Sequence, residues 1–448
     1  MDTLSKDNFS IIKNYLNENE FKNLSLISSS VFNECKDLKK IYLNKRYSRE
    51  YIRSKFFRIL IESKYNKKNL CLNLEGFKEI NHINIDILES LNGIYSLNLK
   101  NIKISHYKLQ KLKEINEINL SGLKISLNYI KYKHCNLDFS KVDTLNLSRC
   151  NIYNPNDCSM VKKLNLSWTN VSDVSALGRV HTLDLSNCDN VRDVSALGSV
   201  HTLNLESCRN VTDVRALGGV YTLNLSRCGN VSDVSALSGV HTLNLSYCRN
   251  VSDVSALGGV HTLNLRGCIN VSDVSALGSV HTLNLRGCIN VRDVSALGGV
   301  HTLNLSWCHN VRDVRALSGV HTLDLSKCVN VSDVSALGKV HTLDLSRCNN
   351  VRDVSALSGV HTLNLCGCYN VSDVSALGGV HTLNLCYCKN ISYVTAHGRV
   401  HNLFLSRYKH ILFVSSNYHE NIIDVSGFNG VKNLIIGNNF NQKNRFTK

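Results

Sequence analysis

Residue types able to do chemistry recur through this chain at one fixed interval. Histidine returns eleven times between His181 and His401, and cysteine eleven times from Cys188 to Cys388, with serine and aspartate beside them. Stacked imidazoles could hold a metal or sense pH, because charging them would set each against its neighbour. Cys366, Cys368, Cys386 and Cys388 form two C-x-C pairs, and four thiolates are a soft set suited to zinc. Serine, histidine and aspartate together invite a hydrolytic triad. A catalytic constellation is singular, however, and here every member is repeated, so no nucleophile has a setting of its own. We expect no catalytic residue, no metal site and no cofactor. Strand alternation would point Cys368 and Cys388 inward and Cys366 and Cys386 outward, which breaks up the zinc set. The cysteine ladder reads as packing in a reducing compartment.

The interval is twenty residues: 241–260 read HTLNLSYCRNVSDVSALGGV and 261–280 read HTLNLRGCINVSDVSALGSV. A period that short marks a solenoid, whose units are too small to bury an apolar face alone and close their core on their neighbours. Within one unit the apolar positions are Val240, Leu243, Leu245, Cys248, Val251, Val254 and Leu257. The step from Leu243 to Leu245 is strand periodicity, with Thr242, Asn244 and Ser246 facing out. Cys248 turns inward at the strand exit, and Asn250 and Asp253 suit turns. Asp253 is expected to cap a helical turn over 254–257, and Gly258 to supply the backbone freedom that ends it.

These residues carry a resemblance. The spacing L-x-x-L-x-L-x-x-C, filled by Val260, Leu263, Leu265 and Cys268, resembles the leucine-rich-repeat signature, and NVSDVSAL resembles the short convex segment of such repeats. The resemblance implies an α/β repeat solenoid, a right-handed superhelix with a parallel β-sheet on its concave face. With strands about 4.8 Å apart, a dozen coils would give on the order of 60 Å of sheet. Regular repeats occupy 161–400. Irregular ones fill 71–160, starting at Leu72 and Leu74, and 401–448 reads as degenerate repeats and a C-terminal cap containing Ile423, Val425, Leu434 and Ile436.

Residues 1–70 are a different polymer. Phe9, Ile12, Tyr15 and Leu16 share one helical face, and Phe21, Leu24, Ile27, Val31 and Phe32 follow in two short apolar segments, so 1–44 reads as a small all-α domain of three helices. The order Leu4, Asp7, Phe9, Ile12, Leu16, Glu20 and Phe21 resembles an F-box, although Ser5 stands where proline is usual and no tryptophan lies near Val31. That resemblance implies that Leu4, Phe9, Ile12, Leu16 and Phe21 would bind the adaptor subunit of a cullin-RING ubiquitin ligase. The alternative is a helical cap on the first coil. Residues 45–70, with Tyr51, Phe56, Ile59 and Leu60 among basic residues, read as one amphipathic linking helix.

Comparing the repeats with one another locates the variation. The leucines, Cys, Asn, Asp and Gly hardly change, whereas the positions flanking the Cys change from coil to coil. Arg227, Tyr247, Arg249, Arg266, Arg286, Trp307, Lys327, Arg347, Tyr369 and Tyr387 stand on or beside these positions, at one edge of the expected sheet. A constant scaffold with one varied rim is built like a binding surface, and Tyr, Trp and Arg are the usual anchors of interfaces. Drift after duplication is the competing explanation, since the convex positions Arg192, Thr212, Arg292, Arg312 and Arg352 vary as well. Arg266 and Arg286 fall at equivalent positions of adjacent coils, and the pair is expected to share a carboxylate or phosphate of a partner.

The net charge of +16 divides as +9 over residues 1–160 and +7 over the rest. This is too even for the continuous basic and aromatic stripe that a nucleic acid requires. No apolar leader follows Met1 and no uninterrupted apolar stretch could span a bilayer, so neither export nor membrane contact is expected, and the chain reads as cytoplasmic. The expected function is protein–protein interaction. In its specific form the chain is the substrate receptor of an SCF-type ubiquitin ligase, with an acidic or phosphorylated protein target on the rim; in the plainer form it is a leucine-rich-repeat scaffold with no ligase connection.

Overall fold

The computed structural model describes residues 40–77, 85–102, 112, 115–122, 139, 141–150, 155–391, 400–406 and 433–437. The all-α domain expected over 1–44 lies outside these residues except for its last five. The chain divides into two units, 1–210 and 211–448.

In the first unit, β1 (Ile41–Leu43) is followed by α1 (Lys45–Arg53), α2 (Lys55–Lys64) and β2 (Leu70–Asn73). β1 pairs in parallel with β2, Leu43 opposite Leu72, so the sheet begins one strand earlier than the leucine spacing indicates. The single linking helix is in fact two. Ser54 adopts an extended backbone, donates its N–H to Glu50 O to close α1, and accepts the Phe57 N–H on Oγ to open α2. Buried Ser48 fastens α1 to the sheet: its Oγ donates to Leu43 O at 2.9 Å and accepts the Asn73 N–H at 2.8 Å. Tyr51, Ile52 and Ile61 are buried, while Phe56 and Ile59, expected on the apolar face, are exposed because the break at Ser54 resets the helical phase. A short helix, α3 (Ile85–Glu89), precedes β3 (Ser96–Asn98), β4 (Glu117–Asn119), β5 (Thr144–Asn146), β6 (Lys163–Asn165), β7 (Thr182–Asp184) and β8 (Thr202–Asn204), each parallel to the one before.

The second unit begins with β9 (Thr222–Asn224) and β10 (Thr242–Asn244), and strands β11 (Thr262–Asn264) to β17 (Thr382–Asn384) follow at the twenty-residue interval. Register is strict: Leu243 stands beside Leu263 and Leu263 beside Leu283. Two longer strands close the described part, β18 (Asn402–Ser406) and β19 (Asn433–Gly437), with Leu403 opposite Leu434 and Leu405 opposite Ile436. Ile423 and Val425, expected in the C-terminal cap, lie outside the described residues. No helix among the described residues is long and apolar enough to cross a membrane.

Each coil is held by repeated rungs. Val240, Leu243, Leu245, Cys248, Val251, Val254 and Leu257 are all buried, as the spacing requires. The strand is three residues long because Asn244 turns its Oδ1 back to accept the Ser246 N–H at 3.0 Å, an Asx turn that ends the alternation. For the same reason Ser246, expected to face out, is buried. Asn270 Nδ2 donates to Arg249 O of the preceding coil at 2.8 Å, and Asn290 repeats the rung to Ile269 O. Asp253 Oδ1 accepts the Ser255 N–H at 2.9 Å and opens a single 3-10 turn over Ser255–Gly259. Gly258 does not end that turn through a left-handed backbone. A β-carbon there would stand 2.4 Å from Ala276 O, so its smallness serves the close approach of the next coil.

Candidate functional site

The rim is built by the backbone immediately after the Asx turn. Arg227, Tyr247, Trp307, Lys327, Arg347 and Tyr387 all have φ between 60° and 65°, and Gly267, Gly287 and Gly367 occupy the same place at 71–73°. This is the left-handed region, which costs an L-residue about 1–2 kcal/mol. The ladder holds the chain there: Tyr247 N donates to Arg266 O at 2.7 Å and Lys327 N to Ser346 O at 2.8 Å. One residue later the Cys returns inward. Cys248 Sγ donates to Leu225 O at 3.0 Å, and Cys308 repeats the bond to Leu285 O at 3.1 Å. Burial pushes these thiols far above their ordinary range, to about 12 for Cys248, Cys268, Cys308 and Cys348. They are packing and hydrogen-bonding groups, as the sequence indicates.

The predicted rim residues gather into three groups. Tyr247 lies between Arg227 and Arg266, whose guanidinium carbons are 5.8 and 5.5 Å from its ring centre. Lys327 Nζ stands 3.4 Å over the centre of Trp307. Lys389, which the sequence reading did not single out, sits 4.9 Å over Tyr369. Such contacts fix the rings and contribute about 0.5–1 kcal/mol each at exposed sites. Of the pair Arg266 and Arg286, expected to share an anion of a partner, Arg266 has its guanidinium over the Tyr247 ring. Arg249 is exposed and has no ring partner among the described residues, and Tyr387 is exposed at the same left-handed position as Tyr247. The adaptor-binding residues Leu4, Phe9, Ile12, Leu16 and Phe21 lie outside the described residues.

Sequence reasoning missed the same device in the first unit. Arg149 and Trp168 also have φ near 60°, and the Arg149 guanidinium stands 5.8 Å from the Trp168 ring. The signal was their place two residues beyond Leu147 and Leu166, in coils that lack the strict period.

Beside the strand start, the histidines form a stack. In the second unit Tyr221 and the nine histidines from His241 to His401 make one column, with ring centres 4.4–4.7 Å apart. Each Nδ1 from His241 to His381 faces the hydroxyl of the following threonine at 3.2–3.3 Å. Burial, then the neighbouring His241 and His281, hold the His261 pKa below its ordinary value. Cys366 and Cys386 are half-buried while Cys368 and Cys388 donate inward to Leu345 O and Leu365 O, and no group of ligands among the described residues is arranged for a metal.

This geometry, with its parallel strands, Asx turns and one-turn convex segments, is the leucine-rich-repeat fold. The structure of TLR13 in a TLR13–ssRNA13 complex is similar over 90% of this chain, at 14% identity and a TM-score of 0.51, and this chain spans 65% of that one. Two Listeria monocytogenes proteins also align: an internalin, inlF, at 17% identity and TM-score 0.40 over 80% of this chain and 90% of that one, and the functional domain of InlJ, described as including a cysteine ladder, at 15% and 0.43 over 77% and 70%. No protein-family model and no curated protein matches the sequence.

Proposed function

We propose that this chain is a non-enzymatic binding protein that holds a protein partner on the rim from Arg227 to Tyr387. The observation that carries this reading is the backbone under the rim. Six of its nine coils place Arg, Tyr, Trp, Lys, Arg and Tyr where the conformation favours glycine. Drift relieved of function would settle on the unstrained residue; strained side chains that persist point to use. The test replaces Arg227, Tyr247, Trp307, Lys327, Arg347 and Tyr387 together by glycine. The variant still melts cooperatively, as a folded chain does, and loses its partner; retained binding would refute the reading.

The specific form is a substrate receptor of a cullin-RING ubiquitin ligase, acting in the cytoplasm. It is supported by the F-box-like order of residues 1–44 next to a leucine-rich-repeat body. A pull-down of the full chain with a purified F-box adaptor subunit, beside a Leu16→Asp, Phe21→Asp variant, tests it. Binding that the variant loses is expected. No binding by the unaltered chain leaves the plain scaffold.

A further inference from the structure

Arg286, Lys327 and Arg347 carry three positive charges within four consecutive coils, which the bonds from Gly287 N to Ser306 O, Trp307 N to Ser326 O and Lys327 N to Ser346 O hold side by side at 2.8–2.9 Å, and no carboxylate forms an ion pair with any of the three among the described residues. Two acids of the same coils are held by neutral donors. Asp324 accepts from the Ser326 N–H and the Asn304 amide, and Asp344 from the Ser346 N–H and the Asn364 amide, at 2.7–2.9 Å. Trp307 stands in the middle, with Lys327 on its face at 3.4 Å and His309 against its edge at 5.9 Å. His309 Nδ1–H donates to Lys327 O at 3.0 Å and so braces the coil that carries the ammonium. On the other side of Trp307 the rim is bare: a β-carbon on Gly287 would meet nothing within 4 Å. Next to this notch Ile289 is 42% exposed and Trp307 38% exposed.

We propose that Arg286, Lys327 and Arg347 form a binding site for a phosphorylated side chain of a protein partner, whose neighbouring apolar residue fills the notch at Gly287 between Ile289 and Trp307. A phosphate monoester brings nearly two charges and three acceptor oxygens to three donors, whereas a carboxylate offers one charge and two oxygens. Partial burial, then the charges of Arg347 and Arg286, already hold the Lys327 pKa below its ordinary value, so an arriving dianion relieves repulsion that the free protein carries. A nucleic acid fits less well. Single strands bind on open aromatic faces along a continuous basic track, and here Lys327 covers one face of Trp307 while Arg227 and Arg266 flank Tyr247. The inference rests on the rim being the partner surface. It is tested with a small probe rather than the partner, so its failure leaves that reading to be decided by the glycine variant.

The chain has two tryptophans, so in a full-length Trp168→Phe background Trp307 alone reports. Its emission is titrated with a short phosphoserine peptide carrying leucine beside the phosphoserine, with the glutamate counterpart of that peptide, and with a thymidine octanucleotide. The phosphopeptide saturates, binds about tenfold tighter than the glutamate peptide, and weakens by about tenfold or more in Lys327→Gln, Arg347→Gln, each tenfold being about 1.4 kcal/mol. Arg312→Gln, on the convex side, leaves the affinity unchanged, and thermal melts verify that each variant is folded. Absence of saturation, equal affinity for the glutamate peptide, equal loss in Arg312→Gln, or tighter binding of the octanucleotide each overturns the proposal.

Discussion

Tyr247 occupies the space that a side chain on Gly267 would need: a β-carbon built there would stand 2.7 Å from Tyr247 Cδ1 and 2.9 Å from Cε1. The missing side chain of one coil is thus what lets the ring of the previous coil lie between Arg227 and Arg266. Rim residues are set by their neighbours twenty positions on, and a substitution at a glycine acts on the aromatic residue before it.

Gly267→Ala therefore meets two penalties, the left-handed backbone at φ 71° and the Tyr247 ring. Gly287→Ala, at φ 73° with open space around it, meets only the first. In urea unfolding Gly287→Ala is expected to lose about 1 kcal/mol or less, the strain being partly offset by the stiffer unfolded chain, and Gly267→Ala measurably more. Equal losses would show that the ring moves aside freely.

Replacing the strained residues by glycine works in the opposite direction. Trp307→Gly or Arg347→Gly relieves the backbone by about 1–2 kcal/mol and makes the unfolded chain freer by about 0.4–1 kcal/mol. Net stability changes should stay within about 1 kcal/mol in denaturant titrations. Trp307→Ala keeps the strain and loses the ring contact, so it should be less stable than Trp307→Gly. The reverse order would contradict the strain argument.

His261, within the histidine column, gives the stability a pH dependence. Its pKa lies below the ordinary 6.5 in the folded chain. As pH falls below 6.5 the unfolded chain takes up a proton that folded His261 resists, so stability falls with acidification, and the contribution is intact above that pH. The carboxylates Asp233, Asp253 and Asp273, held low by the Ser235, Ser255 and Ser275 hydrogen bonds, titrate further down, outside the His261 window. Melting temperature should drop between pH 7.5 and 5. In His261→Tyr, which copies the Tyr221 solution, the drop should be smaller. An unchanged slope would remove the column from the acid response.

Thiol reactivity separates the two cysteine classes. Cys188 to Cys348, Cys368 and Cys388 are buried, whereas Cys366 and Cys386 are half-buried. Brief alkylation of the native protein, read by peptide mass spectrometry, should label Cys366 and Cys386 first among the described cysteines. Labelling of Cys288 at a comparable rate would mean that the coils open readily.

Much of this molecule was legible in the twenty-residue period. Repetition displays the inward set of Leu243, Leu245 and Cys248 eleven times over, and a shared core must keep its residues. The rim's position was legible for the same reason, since variation beside an invariant Cys stands out. Its backbone was not. Left-handed φ is usually read from glycine, and the rim has glycine in only three coils of the second unit, Gly267, Gly287 and Gly367. The contact of Arg266 with Tyr247 was hidden as well, because side-chain direction depends on the neighbouring residues rather than on spacing. Gly258 was misread as a helix terminator because its reason, Ala276 O, comes from the next coil.

The central claim is that the rim, and not the convex side, meets the partner. The most direct measurement places a photo-crosslinking phenylalanine derivative singly at Tyr247, Trp307 or Tyr387, and at Ser252, Ser272 or Ser332 on the convex turns. The full chain is then irradiated in extract of the cells that make it. The account predicts one protein cross-linked from the rim positions and absent from the convex ones, with its yield falling when the rim glycine variant is used. Cross-linking of that protein from the convex positions alone, or undiminished yield with the glycine variant, would contradict it.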